Sequence, residues 1–107
     1  MSEAAFSQQV DQLFYQFEEA LDDSGADVDY ESSGGLLTIT CERDGSQIIL
    51  SRQPALQQIW LAAKSGGFHF VEQQGQWRCT LDQRTLQQYL SDALLAQAGE
   101  EVEFPEQ

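Results

Sequence analysis

The chain has 107 residues, a length that fits one domain able to bury a modest core without disulfides or structural metals. Its 18 acidic residues against 5 basic ones give a net charge of -13, which disfavours nucleic acids and anionic membranes as partners and favours cations or basic protein patches. No run approaches the ~18 apolar residues of a membrane span, and the N-terminus lacks the features of a signal or transit peptide, so we expect a cytoplasmic protein.

Residues 4–23 predict a long amphipathic helix, because apolar side chains recur at intervals of three and four. The apolar side chains that share one arc of this helix are Phe6, Val10, Leu13, Phe14, Phe17 and Leu21. Carboxylates occupy another arc near the end of the helix. The helix is therefore predicted to have an apolar face for the core and an acidic face for solvent.

Six short segments rich in β-forming residues follow, separated by turn signals. They span residues 27–31, 36–42, 47–52, 58–64, 68–73 and 77–81. Residues 82–99 then return to helical spacing, with Asp82 as the expected N-cap and Gly99 just past the C-terminus. The apolar positions of this second helix are Leu86, Tyr89, Leu90, Ala93 and Leu94.

The order α-β6-α predicts an α+β fold. A meander needs a cover on one face, and the two amphipathic helices are the covers available, so we expect a two-layer α/β sandwich. The sheet is antiparallel in this prediction, with both helices on one face. We expect a single domain over residues 1–107, whose acidic tail 100–107 is mobile unless Val102 and Phe104 pack back onto it. Cys41 and Cys79 lie in apolar strand patterns, which favours free buried thiols over a disulfide or a zinc site.

Seven carboxylates cluster where the first helix ends and the first strand begins. They are Glu18, Glu19, Asp22, Asp23, Asp27, Asp29 and Glu31. Like-charge pairs four residues apart on a helix cost about 0.2–0.5 kcal/mol each. Acidic groups at a helix C-terminus also oppose the helix dipole, by about 0.3–1 kcal/mol each. Solubility alone does not require such an arrangement.

Two functional interpretations of this cluster remain open beside a simple solvated face and a charged edge that prevents aggregation. Exposed carboxylates suit hard cations such as iron, calcium, magnesium or manganese, which they would bind weakly and with little selectivity. The same charges would dock a basic protein patch. If the first strand is the edge strand beside the helix, its alternate acids are expected to extend the helix's acidic face.

The uncovered sheet face carries a second candidate site. If Ile59 and Leu61 point toward the helices, alternation places Trp60 on the open face beside Gln58. Polar residues of neighbouring strands that share this face are Thr38, Thr40 and Ser51. His69 is interpreted as an open-face strand residue. The tryptophan is either a half-buried brace of the sheet or an anchor for a partner.

Several stretches resemble the frataxin family and its short bacterial type. They are the helix end "LDD" with the acidic strand after it, "GGLLTIT", "SRQPALQQIWLAAKSGGFHF" and "WRC", in the order α-β6-α. The resemblance implies a cytoplasmic protein that binds iron, as Fe2+ or Fe3+, and modulates iron-sulfur cluster assembly. It also implies contacts with a cysteine desulfurase and, through the sheet, with the cluster scaffold.

Positions that match the family assign roles to individual residues. By resemblance, all seven clustered carboxylates bind iron at weak exposed sites where other hard cations compete, and Glu18, Glu19 and Asp22 also dock the desulfurase. Trp60 matches the family's sheet tryptophan, and its neighbours Gln58, Thr38 and Thr40 join it in contacting the scaffold. A monomer is expected in the absence of metal.

Two other functions compete with a non-enzymatic regulator. One is a ferroxidase or iron-storage enzyme, but such a site is expected to fix iron with histidine or bridging glutamates on facing helices. The other is an acidic nucleic-acid mimic that binds a basic protein, which explains the charge but leaves Trp60 without a role. No nucleophile and base are arranged in a recognisable motif, so catalysis is not indicated.

Overall fold

A computed structural model of the protein describes residues 1–106, which form two helices and six strands. The first helix, α1, is followed by strands β1 to β6 and then by the second helix, α2. Their bounds are α1 Glu3–Ser24, β1 Val28–Ser33, β2 Leu36–Cys41, β3 Gln47–Gln53, β4 Gln58–Ala63, β5 Gly66–Gln73, β6 Gln76–Cys79 and α2 Leu86–Ala98. The order α-β6-α is therefore confirmed.

The six strands form one antiparallel sheet in which every strand pairs with its neighbour in sequence. The register aligns apolar residues across the strands: Leu37 lies opposite Leu50, which lies opposite Leu61. Because alternate residues of a strand point to opposite faces, such rows collect the buried side chains on one face. The predicted meander is confirmed.

Both helices cover that buried face. All six apolar positions predicted on α1 are buried, and they join Leu86, Leu90 and Leu94 of α2 in a single core with the inner sheet residues. Cys41 and Cys79 are free and buried in this core, as predicted. The two-layer sandwich with one open sheet face is therefore confirmed. Neither helix of residues 1–106 is long and apolar enough to cross a membrane.

The second helix begins three residues later than the sequence predicts. Thr85, not Asp82, is the N-cap, because Thr85 and Gln88 form a reciprocal capping box. Asp82 instead accepts hydrogen bonds from the Arg84 backbone N–H at 3.0 Å and from the Tyr89 hydroxyl at 2.6 Å. The Tyr89 hydrogen bond is the main cause that lowers the pKa of Asp82. Gly99 ends α2 in the left-handed conformation, as expected.

The C-terminal segment packs back onto the helices, which is the alternative that the sequence analysis left open for Val102 and Phe104. Val102 and Phe104 are buried, and the Phe104 ring meets the Phe17 ring of α1 edge-on at 5.3 Å. Ser91 of α2 donates a hydrogen bond to the Val102 carbonyl at 2.8 Å. Gln107, the last residue of the predicted tail, lies outside the described residues.

We expect Phe104→Ala to lower the free energy of unfolding by about 3–5 kcal/mol, because it removes a buried aromatic ring between two helices. Urea denaturation followed by circular dichroism measures this loss. Leu95→Ala is the matched control: Leu95 is 51% exposed on α2, so its truncation should change stability by about 0.5 kcal/mol or less. Equal, small losses in both variants would mean that the tail does not pack as described.

Candidate functional site

The last two turns of α1 carry four carboxylates on the side away from the core. This helix group consists of Glu18, Glu19, Asp22 and Asp23, of which Glu18 is half-buried and the others are exposed. The last turn of α1 contains no basic residue. The negative charges therefore repel one another and oppose the helix dipole without local compensation.

A tyrosine that the sequence interpretation missed ties the helix group to the sheet. Tyr30 of β1 donates a hydrogen bond from its hydroxyl to Asp22 Oδ2 at 2.8 Å. This hydrogen bond is the main cause that raises the pKa of Tyr30 to about 12, and partial burial and the negative charges of Asp22 and Glu18 add to it. The hydrogen bond therefore holds Asp22, a residue near the end of α1, against the edge of the sheet.

The acids of the first strand do not extend the face of the helix group, which corrects the sequence expectation. Strand β1 is indeed the edge strand, but Asp29 lies opposite Thr40 and Glu31 opposite Thr38, so both carboxylates point to the open sheet face. The apolar parts of Val28 and Tyr30 pack against the core. That packing fixes which side of the strand faces the helices, and the acids take the other side.

Glu42, which the sequence interpretation also missed, completes a strand group with Asp27, Asp29 and Glu31. A hydrogen bond between the side chains of Glu42 and Asp29 raises the pKa of Glu42, and the charges of Asp29 and Asp27 raise it further. The Glu42 backbone N–H also donates to the Asp27 carbonyl at 3.2 Å. The expected antiparallel pairing of β1 with β2 could have identified Glu42, since it brings the end of β2 beside the start of β1.

The C-terminal segment, rather than β1, adds carboxylates beside the helix group. Glu19 and Asp23 line a crevice of 490 Å³ together with Glu106. A second crevice places Asp23 near Glu101 and Glu103. The acids of the C-terminal segment were not part of the predicted site.

The described residues contain three ion pairs: Arg52–Asp11, Lys64–Asp44 and Arg84–Asp92, each at 2.6 Å. None of them uses a carboxylate of the helix group or the strand group. Within residues 1–106, no three or more His, Cys, Asp or Glu side chains converge to hold one metal ion.

The open sheet face holds the second set of predicted residues. Trp60 is half-buried there, opposite Ser51 on β3 and His69 on β5. Ser51 lies opposite Leu36 on β2, which is 42% exposed, so Leu36, Ser51, Trp60 and His69 form one row across four strands. Leu36 was not predicted to be part of this face. The pairing of β2 with β3 identifies it, because that register places Leu36 opposite Ser51.

Gln58 shares a strand with Trp60, two residues away on the same face. Thr38 and Thr40 lie on β2, separated from β4 by one strand, and are half-buried. At a spacing of about 4.8 Å between strands, Thr38 and Thr40 lie roughly 10 Å from the strand of Trp60. The four predicted residues therefore occupy one face, with the strand group of carboxylates along its β1 edge.

A family model for the frataxin-like domain matches residues 1–100 of the chain. The chain is 53% identical to the iron-sulfur cluster assembly protein CyaY of Pseudomonas aeruginosa, and the match covers 98% of each chain. It is 47% identical to the protein of the same name from Azotobacter vinelandii, covering 99% of this chain and 97% of that one.

Solved structures agree with these sequence matches. The frataxin of Psychromonas ingrahamii superposes with a TM-score of 0.93 at 38% identity, covering 99% of this chain and 100% of that one. The trimeric frataxin of the yeast Saccharomyces cerevisiae, complexed with ferrous iron, superposes with a TM-score of 0.68 at 25% identity over 94% and 88% of the two chains. The order of elements, the open sheet face and the match over nearly the whole chain lead to one conclusion: this chain belongs to the frataxin-like family.

Proposed function

We propose that this protein is a cytoplasmic, non-enzymatic regulator of iron-sulfur cluster assembly that binds iron and docks a cysteine desulfurase and the cluster scaffold. The observation that carries the proposal is the helix group, which concentrates four carboxylates without an ion-pair partner among the described residues. The bacterial relatives are named for cluster assembly, and a yeast relative was solved with ferrous iron, which supports the same role.

Iron is the proposed metal ligand, held by the helix group and by Asp27, Asp29 and Glu31 of the strand group. Carboxylate oxygens suit Fe2+ and Fe3+ but also other hard cations, so the sites are weak and manganese, magnesium or calcium compete. An exposed site with one or two protein ligands exchanges its metal readily. That behaviour suits a sensor of iron supply better than a ferroxidase, which fixes iron between facing helices.

The desulfurase is proposed to dock on Glu18, Glu19 and Asp22 through a basic patch. Exposed charges of one sign raise the association rate of an oppositely charged partner and select against partners of like charge. Tyr30 holds Asp22 in place, so part of this surface is ordered before docking. Iron and the desulfurase are proposed to use the same carboxylates, so iron either competes with the desulfurase or bridges it to them. Without metal, the free protein is proposed to be a monomer.

The scaffold is proposed to dock on the open sheet face, with Trp60 as the anchor and Gln58, Thr38 and Thr40 around it. A large aromatic ring surrounded by polar groups is typical of a binding hot spot. The face is an ordered sheet surface with half-buried residues, and such pre-formed surfaces bind with little backbone movement.

Neutralising one like-charge pair should stabilise the metal-free protein. Glu19→Gln with Asp23→Asn removes a repulsive pair four residues apart and two charges from the negative end of the helix dipole, so the melting temperature should rise. The pair leaves Asp22 and its hydrogen bond to Tyr30 intact. Added Mn2+ should raise the melting temperature of the native protein beyond the effect of NaCl at equal ionic strength, and less so in the variant.

Glu3→Gln is the matched control on the same helix. Glu3 lies in the first turn, where the dipole favours a negative charge, so its neutralisation should lower the melting temperature. A lower melting temperature for the Glu19 and Asp23 double variant without metal would contradict the account of charge repulsion at this helix end.

Charge reversal should separate the helix group from the strand group in desulfurase binding. Glu18→Lys with Glu19→Lys should weaken binding about tenfold or more, and the native affinity should fall steeply between 50 and 300 mM NaCl, roughly as screening predicts. Asp29→Lys with Glu31→Lys changes the charge equally and should have a smaller effect. Biolayer interferometry with purified desulfurase measures the affinities of the native protein and of the two charge-reversed variants. Binding that does not weaken with added salt would show that the desulfurase contacts another surface.

The raised pKa of Glu42 predicts a pH-dependent stability. Asp29 favours the protonated form of Glu42 in the folded state, so this interaction stabilises the fold below the ordinary pKa of glutamate and is lost as the pH rises through the raised value. Glu42→Gln should therefore raise the melting temperature at pH 7 and give no gain at acidic pH. Thermal melts across the pH range check this. A gain in melting temperature that is equal at all pH values would contradict the hydrogen bond between protonated Glu42 and Asp29.

A further inference from the structure

We infer that Gly67 is a positioning residue that holds the indole of Trp60 in one orientation on the open sheet face, ready for a partner. The inference rests on the proposed docking of the scaffold at this face. Gly67 lies on β5, two residues before His69, the residue opposite Trp60. It is therefore a diagonal neighbour of Trp60 on the same face of the sheet.

The indole occupies the space that a side chain at position 67 would fill. A Cβ added to Gly67 would lie 2.9 Å from Trp60 Nε1, 3.3 Å from Cζ2 and 3.4 Å from Cε2. The first distance is shorter than real Cβ atoms approach, so any residue larger than glycine has to displace the ring. The edge of the indole thus lies over the backbone of β5 rather than standing away from the sheet.

The backbone gives no other reason for glycine at this position. Gly67 does not adopt a positive φ, whereas its neighbour Gly66 has a φ of 135°, which favours glycine at the start of β5, directly after the β4–β5 turn. A Cβ at Gly66 would meet only the Phe68 ring, at 3.7 Å. The two adjacent glycines therefore differ: Gly66 serves the turn, and Gly67 serves the indole.

An indole seated in this way is restricted before any partner arrives. The ring packs with one edge against β5 and stays half-buried on the open face. Less side-chain freedom remains to be lost when a partner covers it, which favours affinity. Gly67 thus contributes to docking by fixing the position of the anchor.

Gly67→Ala tests the steric part of the inference. The substitution suits the backbone, so the protein should fold, and the Trp60 Nε1–H resonance in a 1H–15N spectrum should shift. Trp77 is an internal reference, because its indole is buried on the opposite face and its resonance should not move. Ser65→Ala in the same turn is the control variant, since Ser65 is exposed, and it should leave both resonances in place. An unmoved Trp60 resonance in Gly67→Ala would overturn the inference.

A double-mutant cycle with the purified cluster scaffold tests the functional part. Trp60→Ala should weaken scaffold binding about 30-fold, the equivalent of ~2 kcal/mol for a hot spot. Gly67→Ala should weaken it about tenfold in the native background and have no further effect in the Trp60→Ala background, because coupled residues are not additive. Additive losses would overturn the inference, since Gly67 would then act independently of Trp60.

The proposed function and this inference fail in different ways. If Trp60→Ala leaves scaffold affinity unchanged, the sheet face is not the docking surface, and the role of Gly67 in presenting the ring falls with it. If Trp60→Ala weakens binding but Gly67→Ala does not, although the indole resonance has moved, the docking surface stands and the positioning role is wrong. Should Gly67→Ala fold poorly, Trp60→Phe with Gly67→Ala should restore folding, because the smaller ring frees the space; persistent misfolding would also overturn the inference.

Discussion

Within residues 1–106, the helices and the C-terminal segment cover one face of the sheet and leave the other open, and the rest of the structure depends on this constraint. The two helices and the C-terminal segment meet the same face, where Leu37, Leu50 and Leu61 align across three strands. Apolar side chains are drawn to that face by burial, so polar, charged and functional groups are left with the other face and with the outer side of α1. The two candidate surfaces are the two places that the core does not use.

The edge strand β1 is the border between these surfaces. Tyr30 points toward the helices and holds Asp22, while Asp29 and Glu31 point to the open face, opposite Thr40 and Thr38. The strand group therefore lies beside residues proposed to contact the scaffold, and the helix group lies around the edge of the sheet. A cation on the strand group would sit next to the proposed scaffold contact, whereas one on the helix group would sit at the proposed desulfurase contact.

Periodicity in the sequence was enough to predict the fold, because burial imposes it directly on local spacing. The apolar stripe of α1 and the alternation around Trp60 both appear in the structure as predicted. Competition between neighbouring groups was not predictable in the same way. Asp82 was predicted as the N-cap, but the capping box that Thr85 forms with Gln88 makes Thr85 the N-cap, and Asp82 accepts the Tyr89 hydroxyl instead.

The site was harder to predict than the fold because its residues come from distant parts of the chain. Glu42 and Tyr30 join the carboxylates only through strand pairing and helix packing, and the tail acids join through the burial of Phe104. Which side of β1 carries the acids depends on whether Val28 and Tyr30 or their neighbours pack better against the core, a choice that local sequence leaves open.

Recovery of partners from a bacterial lysate tests the central claim most directly. The full chain, tagged at its N-terminus, is used to capture proteins from a bacterial lysate with and without added Fe2+, and bound proteins are released with increasing salt. The account predicts that a cysteine desulfurase is captured at low salt, is released as ionic strength rises, and is lost when Glu18 and Glu19 are both changed to lysine. Capture of basic proteins without a desulfurase, or a desulfurase retained equally by the charge-reversed protein, would contradict the claim that the helix group places this protein in iron-sulfur cluster assembly.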